Sequence, residues 1–388
     1  MRSGNGLKVG DQPAGGIGAA ALVLLALGAL VALAMVALPS ESRAAGNEVR
    51  ISGKVYRFNH MDTPIPGAVI KVREYPGLRA VSDSVGDYEL EVPDDANVTP
   101  YLVAGDIEPG GNPMSNHYNE IDLQTFHPRG DDIENANFQT PTDAEYIGLK
   151  AILGVPSDPA DPLSRPDQCV VVTTSSARNV RGVDYQTFWD RTPHGVAGAT
   201  AFAAPAVPGP IYFNEHVIPD RSETASSADG GIVWDVVPTG TFRMIGQHPT
   251  TRFASFLATC APGRVVNANP PWGMYELSPG EQPLAASNVA AKPLDPKVKR
   301  QGRRARTVQA RIETAERIGF DARLVRSGKK IAGKRLDQIN PGTKRVRFKV
   351  GPKVRPGKTR LQVRLTDRSG VTVKTVHRLR LPKISPGG

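Results

Sequence analysis

The chain has 388 residues, including 39 Gly and 34 Pro, and only 6% of its residues are aromatic. This length allows several domains, and this composition argues against a mainly helical protein and for an all-β, turn-rich one. The net charge of +10 is unevenly divided, because residues 296–388 carry 28 Lys and Arg against five acids, a net +23, which leaves −13 for the remainder. Such a division predicts separate modules, the last of them strongly basic.

The first feature along the chain is an apolar segment, residues 17–38, which holds 22 positions without a charge. As a helix it would be roughly 33 Å long, enough to cross a bilayer. Arg2 and Lys8 precede it and Pro39 follows it. Residues 1–45 are therefore predicted to be a signal peptide or an N-terminal membrane anchor, and both alternatives stay open. Either way the remainder is exported, so we predict an extracellular, cell-surface or outward-facing anchored protein, with residues 17–38 in the membrane if uncleaved.

Residues 46–140 contain five short β-rich runs separated by Gly and Pro turns, a spacing that predicts a small antiparallel β-sandwich. In the first run Val49, Ile51 and Val55 alternate with polar residues, and in the third Tyr88, Leu90 and Val92 alternate with acids, a pattern typical of a strand with one buried face. The runs are 49–58, 64–75, 81–93, 99–105 and 132–139.

One helix is predicted after this module, within residues 141–165, as a short connector between two sandwiches. Thr140 stands at the expected cap, with Pro141 at the first helical position and Asp143 at the third, and Gly154 is placed to end the helix. Its packing face is predicted to consist of Ala144, Ile147, Ala151 and Ile152.

The pattern of the first module then recurs, which predicts a second, looser sandwich over residues 166–277. Residues 196–205 parallel 65–74, and residues 227–240 parallel 81–93. The apolar residues of the second pair also match, with Ile232, Trp234 and Val236 standing for Tyr88, Leu90 and Val92.

Four glycines recur with the pattern and are predicted to be turns that determine the fold. They are Gly67, Gly86, Gly198 and Gly230. Asp83 or Asp229, in the turns before two of these glycines, stays open as a calcium ligand, although a calcium site needs six or more oxygens and only one or two are visible here.

The two cysteines, Cys169 and Cys260, both follow the export signal. An even number of cysteines in an oxidising compartment predicts one disulfide, and two free buried thiols are the alternative.

Residues 278–304 show no periodicity and several prolines, and are predicted to be a Pro-rich basic linker. Residues 305–384 alternate apolar residues with Arg or Lys and are predicted to form a basic, immunoglobulin-like β-sandwich. Lys358, Arg360 and Arg364 should lie on one exposed strand and bind polyanions. The predicted core consists of Val308, Ala310, Ile312, Val346, Phe348, Val350, Leu361, Val363 and Leu365.

Three motifs carry a resemblance to a known family. G-K-V (53–55), P-I-P-G-A-V-I-K-V (64–72) and S-V-G-D-Y-E-L-E-V-P (84–93) resemble the carboxypeptidase regulatory-like domain family, which has a transthyretin-like (prealbumin-like) fold. The resemblance covers residues 47–140 and, more loosely, 166–275. It implies an all-β protein with two transthyretin-like sandwiches and a non-catalytic accessory or binding role. The basic module looks like the immunoglobulin-like or fibronectin-like domains at the ends of bacterial surface proteins.

An enzymatic alternative rests on residues 195–202 and 227–244, which have the general look of the intradiol dioxygenase sandwich. That fold holds ferric iron with two Tyr and two His, and its closely spaced His pair is absent here. Folding would have to gather His194, His216 and His248. A second polar cluster with side chains that can bind a metal consists of His117, His127, Asp131, Asp132 and Glu134.

No G-x-S-x-G elbow, Gly-rich phosphate loop or paired-cysteine motif occurs, so we predict no enzyme, no catalytic or metal-binding residue and no cofactor. The favoured function is a structural or binding role on the cell envelope, with an envelope polymer, a carbohydrate or another surface protein as partner. Electrostatic binding of an anionic surface by the basic module is the second alternative. Specific nucleic acid binding is not predicted, because Phe320 and Phe348 resemble core residues rather than a base-stacking platform.

Overall fold

The structure is a computed structural model and describes residues 47–107, 121–156, 158–163, 167–181, 183, 185–301 and 305–384. Within these ranges the chain forms 25 strands and two α-helices, which confirms an all-β protein built of several sheets. The predicted N-terminal hydrophobic helix lies outside the described residues. Among the residues that are described, no helix has both the length and the apolar character needed to cross a bilayer.

The strands follow one another in three groups. Before the first helix lie β1 (Glu48–Arg57), β2 (His60–Pro64), β3 (Ala68–Val72), β4 (Tyr75–Val81), β5 (Asp87–Pro93), β6 (Pro100–Ile107), β7 (Ile121–Leu123) and β8 (Phe138–Thr140). Helix α1 (Asp143–Leu153) is followed by β9 (Gln168–Ser176), helix α2 (Tyr185–Asp190), β10 (Thr200–Ala204), β11 (Ile211–Phe213), β12 (Pro219–Asp220), β13 (Gly231–Pro238), β14 (Gly240–Gln247), β15 (Arg252–Phe253), β16 (Phe256–Cys260), β17 (Val265–Ala268) and β18 (Met274–Leu277). The last group is β19 (Ala291–Gln301), β20 (Ala305–Thr314), β21 (Ile318–Arg326), β22 (Lys329–Ile339), β23 (Gly342–Val350), β24 (Gly357–Thr366) and β25 (Thr372–Leu381).

The first two groups of strands repeat one topology. In the first, β1 pairs antiparallel with β5 and parallel with β8. In the second, β9 pairs antiparallel with β13 and parallel with β17 and β18. The pairs β3–β6 and β10–β14 are also equivalent and antiparallel. Each repeat therefore places its first strand between an antiparallel neighbour and a parallel final segment.

A single sheet runs through both repeats, in the order β12-β11-β13-β9-β17-β7-β6-β3-β4. The connection is made by β17, which pairs in parallel with β9 of its own repeat and with β7 of the first repeat. Val265 lies opposite Ile121 across this junction. The sequence predicts two separate sandwiches. Instead, the two repeats share a sheet, because β17 is paired along both of its edges.

Helix α1 forms where the sequence predicts, but its start and its packing face differ from the prediction. The cap is Thr142 rather than Thr140, because Thr142 and Glu145 form a reciprocal capping box. Gly154 ends the helix in a left-handed conformation, as predicted. Ile152 is 55% exposed, so the predicted face is wrong. The buried residues are Tyr146, Lys150 and Leu153, spaced by four and three positions, and Lys150 donates a hydrogen bond to the Pro162 carbonyl.

The C-terminal sandwich begins earlier than predicted. The sequence predicts a linker over residues 278–304, but residues 291–301 form β19, the edge strand of the sheet β19-β20-β23. Prolines are tolerated there because an edge strand needs hydrogen bonds on one side only, and Pro296 lies within a bulge between Leu294 and Lys297. The second sheet has the order β22-β21-β24-β25, and all nine residues predicted for the core are buried between the sheets.

A buried ion pair joins this sandwich to the second repeat. Arg243 on β14 is 1% exposed, and its Nε donates to Glu316 at 2.8 Å while its Nη2 donates to the other oxygen of that carboxylate. The Asp367 carboxylate lies 3.7 Å away. Burial lowers the pKa of Arg243, but the two carboxylates raise it, and the net shift is upward.

Candidate functional site

The exposed face of the sheet β22-β21-β24-β25 carries the residues predicted to bind polyanions. Strand β24 alternates strictly, so Leu361, Val363 and Leu365 point into the core and the residues between them face solvent. Lys358, Arg360 and Arg364 are all exposed on this outer face. Alternation alone therefore places these three cations on one surface.

The neighbouring edge strand β25 has cations at the positions directly opposite these three residues. Three pairs of like charge stand directly opposite each other across the two strands. They are Lys358 with Arg380, Arg360 with Arg378, and Arg364 with Lys374. Residues directly opposite in an antiparallel pair have Cβ atoms about 4.5–5.5 Å apart, and like charges at that distance destabilise the sheet. This arrangement opposes folding unless a negative partner covers it.

The chain supplies no such partner within its described part. Apart from the contacts of Arg243, the ion pairs of this sandwich are Arg311–Asp295, Arg323–Asp321 and Arg335–Asp337, and none of them includes one of the six cations. Asp321 lies opposite Arg364 in the register but is held by Arg323 at 2.7 Å. The six cations are therefore available to an external anion.

The end of the face near Lys358 is the most basic part of it. A shallow groove there is lined by five cations and, among its described lining residues, by no acid. Arg326 is fixed at its edge by hydrogen bonds to the carbonyls of Arg355, Gly357 and Lys358. The other four cations are Lys358, Arg360, Arg378 and Arg380. Lys358 and Arg360 lie two positions apart on this end of β24, so a negatively charged chain lying along the strand would meet two cations roughly 6.8 Å apart.

The outer face of the opposite sheet is also basic but differently arranged. Arg347 and Lys349 on β23 lie opposite Gln309 and Thr307, which are neutral. Arg345 lies opposite Arg311, but Arg311 is paired with Asp295 at 3.1 Å. The groove on this side includes Asp295. Its charges are therefore more dispersed than those on β24 and β25, and this face offers a matched control.

The predicted disulfide is confirmed. Cys169 on β9 and Cys260 at the end of β16 are bonded, with their Cα atoms 5.5 Å apart and 91 positions apart in the sequence. Both are buried in the core of the second repeat. Cys260 ends β16, and two further strands of the repeat, β17 and β18, follow it.

The four turn glycines all have positive φ, with 72° at Gly67, 84° at Gly86, 79° at Gly198 and 81° at Gly230. A Cβ at Gly86 would lie 2.5 Å from the Val55 carbonyl oxygen, so a larger residue is excluded by contact as well as by conformation. The adjoining carboxylates serve their own turns. Asp83 accepts backbone hydrogen bonds from Val85 and Asp87, and Asp229 accepts one from Gly231.

The histidines considered as metal ligands are not gathered. No group of three His, Cys, Asp or Glu residues in the described ranges could hold a metal ion. His194 lies against Asp229, with Nδ1 3.9 Å from the carboxylate oxygen, whereas the ring of His248 accepts hydrogen bonds from the backbone of its own turn. His216 lies in the turn after β11, where its backbone nitrogen donates to the Asn214 side chain.

The second polar cluster is dispersed as well. His127 is buried between Asn97 and Asp95, and burial lowers its pKa although the hydrogen bond to Asp95 opposes that shift. Asp132 accepts a hydrogen bond from the Arg50 backbone. His117 lies outside the described residues. Among the described residues of this cluster, the contacts are therefore those of turns and ion pairs.

Comparisons with known proteins assign no family. No family model matches the chain, and no curated protein matches it. Among solved structures, a tetra-tandem repeat from the extending region of a large adhesion protein is 11% identical, with a TM-score of 0.21 over 86% of this chain and 74% of that chain. A variant of BcpA, the major pilin subunit of Bacillus cereus, is 15% identical, with a TM-score of 0.15 over 56% of this chain and 70% of that one. Similarities this weak carry no argument about this chain, so the resemblance to carboxypeptidase regulatory-like domains stays a prediction.

Proposed function

We propose that this protein is a non-catalytic, exported binding protein that attaches to anionic polymers or surfaces through the exposed face formed by β24 and β25. The observation that carries the proposal is the set of three like-charged pairs across these strands. Natural sheets avoid like charges directly opposite each other, because each such pair lowers stability. Three such pairs, six cations in all, are expected on one open face when an external polyanion neutralises their charge.

The binding mechanism is electrostatic. Each phosphate, sulfate or carboxylate neutralised by Lys or Arg releases condensed counterions, so affinity falls steeply with salt and depends little on the identity of the polymer. Arginine side chains add bidentate hydrogen bonds to phosphate or carboxylate groups. The face presents these groups on a rigid sheet rather than on a loop, which reduces the entropy lost when they engage a ligand.

The remainder of the molecule fits a structural role in this proposal. Two repeats that share one sheet, with a disulfide in the second, form the scaffold. The export signal predicted from residues 17–38 would place that scaffold at the cell surface or outside the cell. An envelope polymer or an acidic carbohydrate is then the expected partner, another surface protein is the alternative, and sequence-specific nucleic acid recognition is not proposed.

The experiment measures binding of the chain from residue 47 onward to phosphatidylglycerol vesicles, polyglutamate and duplex DNA. We expect all three to bind at low salt and to be released by a few tenths molar salt. Arg360→Glu combined with Arg364→Glu should weaken all three alike, by tenfold or more. The control is Arg347→Glu combined with Lys349→Glu, which makes the same change in net charge on the opposite sheet, at positions that face neutral residues, and should weaken binding less.

Three results would overturn the proposal. Equal losses of affinity in the two double variants would show that binding depends on net charge and not on the face formed by β24 and β25. A preference for one polymer that survives high salt would indicate a shaped pocket. Absence of binding to all three at low salt would reduce the charge to a property of a solvated surface.

A further inference from the structure

A cavity of about 140 Å³ lies outside the basic face, at the junction of the two repeats. Its floor is the outer face of the shared sheet, where β9, β13 and β17 lie side by side, and helix α1 covers it. Leu153 from the helix packs on Ile211 and Val233, with Val172 and Phe213 beside them. An apolar cavity of about this size, roughly 150 Å³ in an engineered protein, is large enough to bind benzene.

Among the described residues of this wall, one polar side-chain atom is buried without a partner. Asn267 lies on β17 opposite Val172 and is 7% exposed, and its Oδ1 is fully buried without a hydrogen bond. Val265, two positions earlier on the same face, also lines the cavity, so the strand pattern calls for an apolar residue at position 267. Leaving a buried acceptor unpaired is unfavourable, and a hydrogen-bond donor on a bound molecule would satisfy it.

The rim of the cavity is apolar and strained. Val217 lines it in a left-handed conformation, with a φ of 61°, which β-branched residues rarely adopt. Val217 and the adjacent Ile218 are 40% and 47% exposed. Strained conformations of this kind concentrate at ligand-binding sites, where the surrounding structure maintains them. An apolar molecule would therefore find an apolar entrance.

We propose that this junction cavity binds a small, neutral, mainly apolar molecule that carries one hydroxyl or amide donor, with the donor directed to Asn267 Oδ1. The volume limits the ligand to roughly the size of a substituted benzene ring. A charged ligand is disfavoured, because the walls are largely aliphatic and aromatic, Asp229 lines one side, and the ammonium group of Lys150, which also lines the cavity, already donates a hydrogen bond to the Pro162 carbonyl. This site is independent of the basic face and does not rest on polyanion binding.

The experiment uses the chain from residue 47 onward, with phenol, toluene and benzoate as probes, and measures affinity by titration calorimetry and by the shift in melting temperature. Phenol should bind roughly three- to tenfold more tightly than toluene, the value of one net hydrogen bond. Benzoate should not bind. Asn267→Leu should abolish the preference for phenol without lowering the melting temperature, since it removes an unpaired polar group.

A second pair of variants tests the location. Leu149→Trp places a larger side chain in the cavity wall and should abolish binding of both neutral probes. Ile152→Trp, on the exposed side of the same helix, should leave binding unchanged. Failure of phenol and toluene to bind up to their solubility limits would overturn the proposal. An unchanged preference for phenol in Asn267→Leu would also overturn it, and this result does not depend on whether Leu149→Trp folds.

Discussion

Ser82 and Ser226 occupy equivalent positions in the two repeats and make the same four hydrogen bonds to the backbone. The Ser82 hydroxyl donates to Ile65 and accepts from Ala68, and its backbone pairs with Gly67 and Ala68. The Ser226 hydroxyl likewise donates to Val196 and accepts from Ala199, and its backbone pairs with Gly198 and Ala199. All eight distances lie between 2.7 and 3.0 Å. The internal repeat is therefore present at the level of individual hydrogen bonds.

The first prediction follows from this equivalence. Ser82→Ala and Ser226→Ala should each lower the free energy of unfolding by about 1–3 kcal/mol, because each leaves a buried backbone amide and carbonyl without their partner. Denaturant titration measures the change. Ser84→Ala, an exposed serine in the same turn as Ser82, is the control and should have little effect. If only one of the two substitutions lowered the free energy of unfolding, the repeats would be equivalent in structure but not in energy.

Local patterns made much of this repeat predictable from the sequence. Glycines before an alternating strand specify a turn and a buried face within a dozen residues, so Gly86 and Gly230 could be matched directly. The match between Val236 and Val92 is wrong. A bulge between Trp234 and Val237 adds a residue to the strand, so Val237 enters the core instead of Val236. A bulge requires no particular residue type, so the hydrophobic pattern of the sequence gives little indication of where one occurs.

The shared sheet and the like-charged pairs were beyond sequence reasoning. The pairing of β7 with β17 joins segments more than 140 positions apart, and nothing in either segment specifies the other. The alternation of apolar and polar residues along β24 predicts its three exposed cations. Their neighbours on β25 depend on the register set by the turn between the two strands, so the opposition of Arg360 and Arg378 became visible only in the structure.

The second prediction concerns the disulfide. Replacing Cys169 and Cys260 together by Ala should cost about 4–5 kcal/mol in the chain-entropy model, because the bond closes a loop of 91 positions. Calorimetry in oxidising buffer measures the change. Non-reducing digestion of protein isolated from its native envelope should yield one peptide pair that carries both cysteines. Two freely alkylated thiols in that material would contradict the bond.

The third prediction concerns the contact between the second repeat and the C-terminal sandwich. Arg243→Met should destabilise the protein by about 3–5 kcal/mol, because it leaves the buried carboxylates of Glu316 and Asp367 without their cation. Scanning calorimetry should then show the C-terminal sandwich melting apart from the repeats. Arg347→Met removes an exposed arginine from β23 and serves as the control. An unchanged single transition in Arg243→Met would mean that the ion pair does not couple the two parts.

The fourth prediction separates function from stability on the basic face. Arg378→Glu replaces one member of a like-charged pair and sets a carboxylate directly opposite Arg360. Stability should rise by about 0.2–1 kcal/mol, the range for opposite charges across a strand pair. Binding of phosphatidylglycerol vesicles and duplex DNA should fall, because the face loses a cation and gains an anion. Denaturant titration and binding are measured on the same protein.

The matched control is Arg347→Glu on the opposite sheet, whose neighbour on β20 is the neutral Gln309. It changes the net charge by the same amount without forming a cross-strand pair, so its effects on stability and on binding should both be smaller. The gain in stability of Arg378→Glu should also shrink at high salt, since exposed charges are screened. A face with no ligand has no reason to retain a repulsion that one substitution removes. A gain in stability together with a loss of binding in Arg378→Glu would therefore indicate that the repulsion is retained for binding. A loss of stability would contradict the register on which the proposal depends.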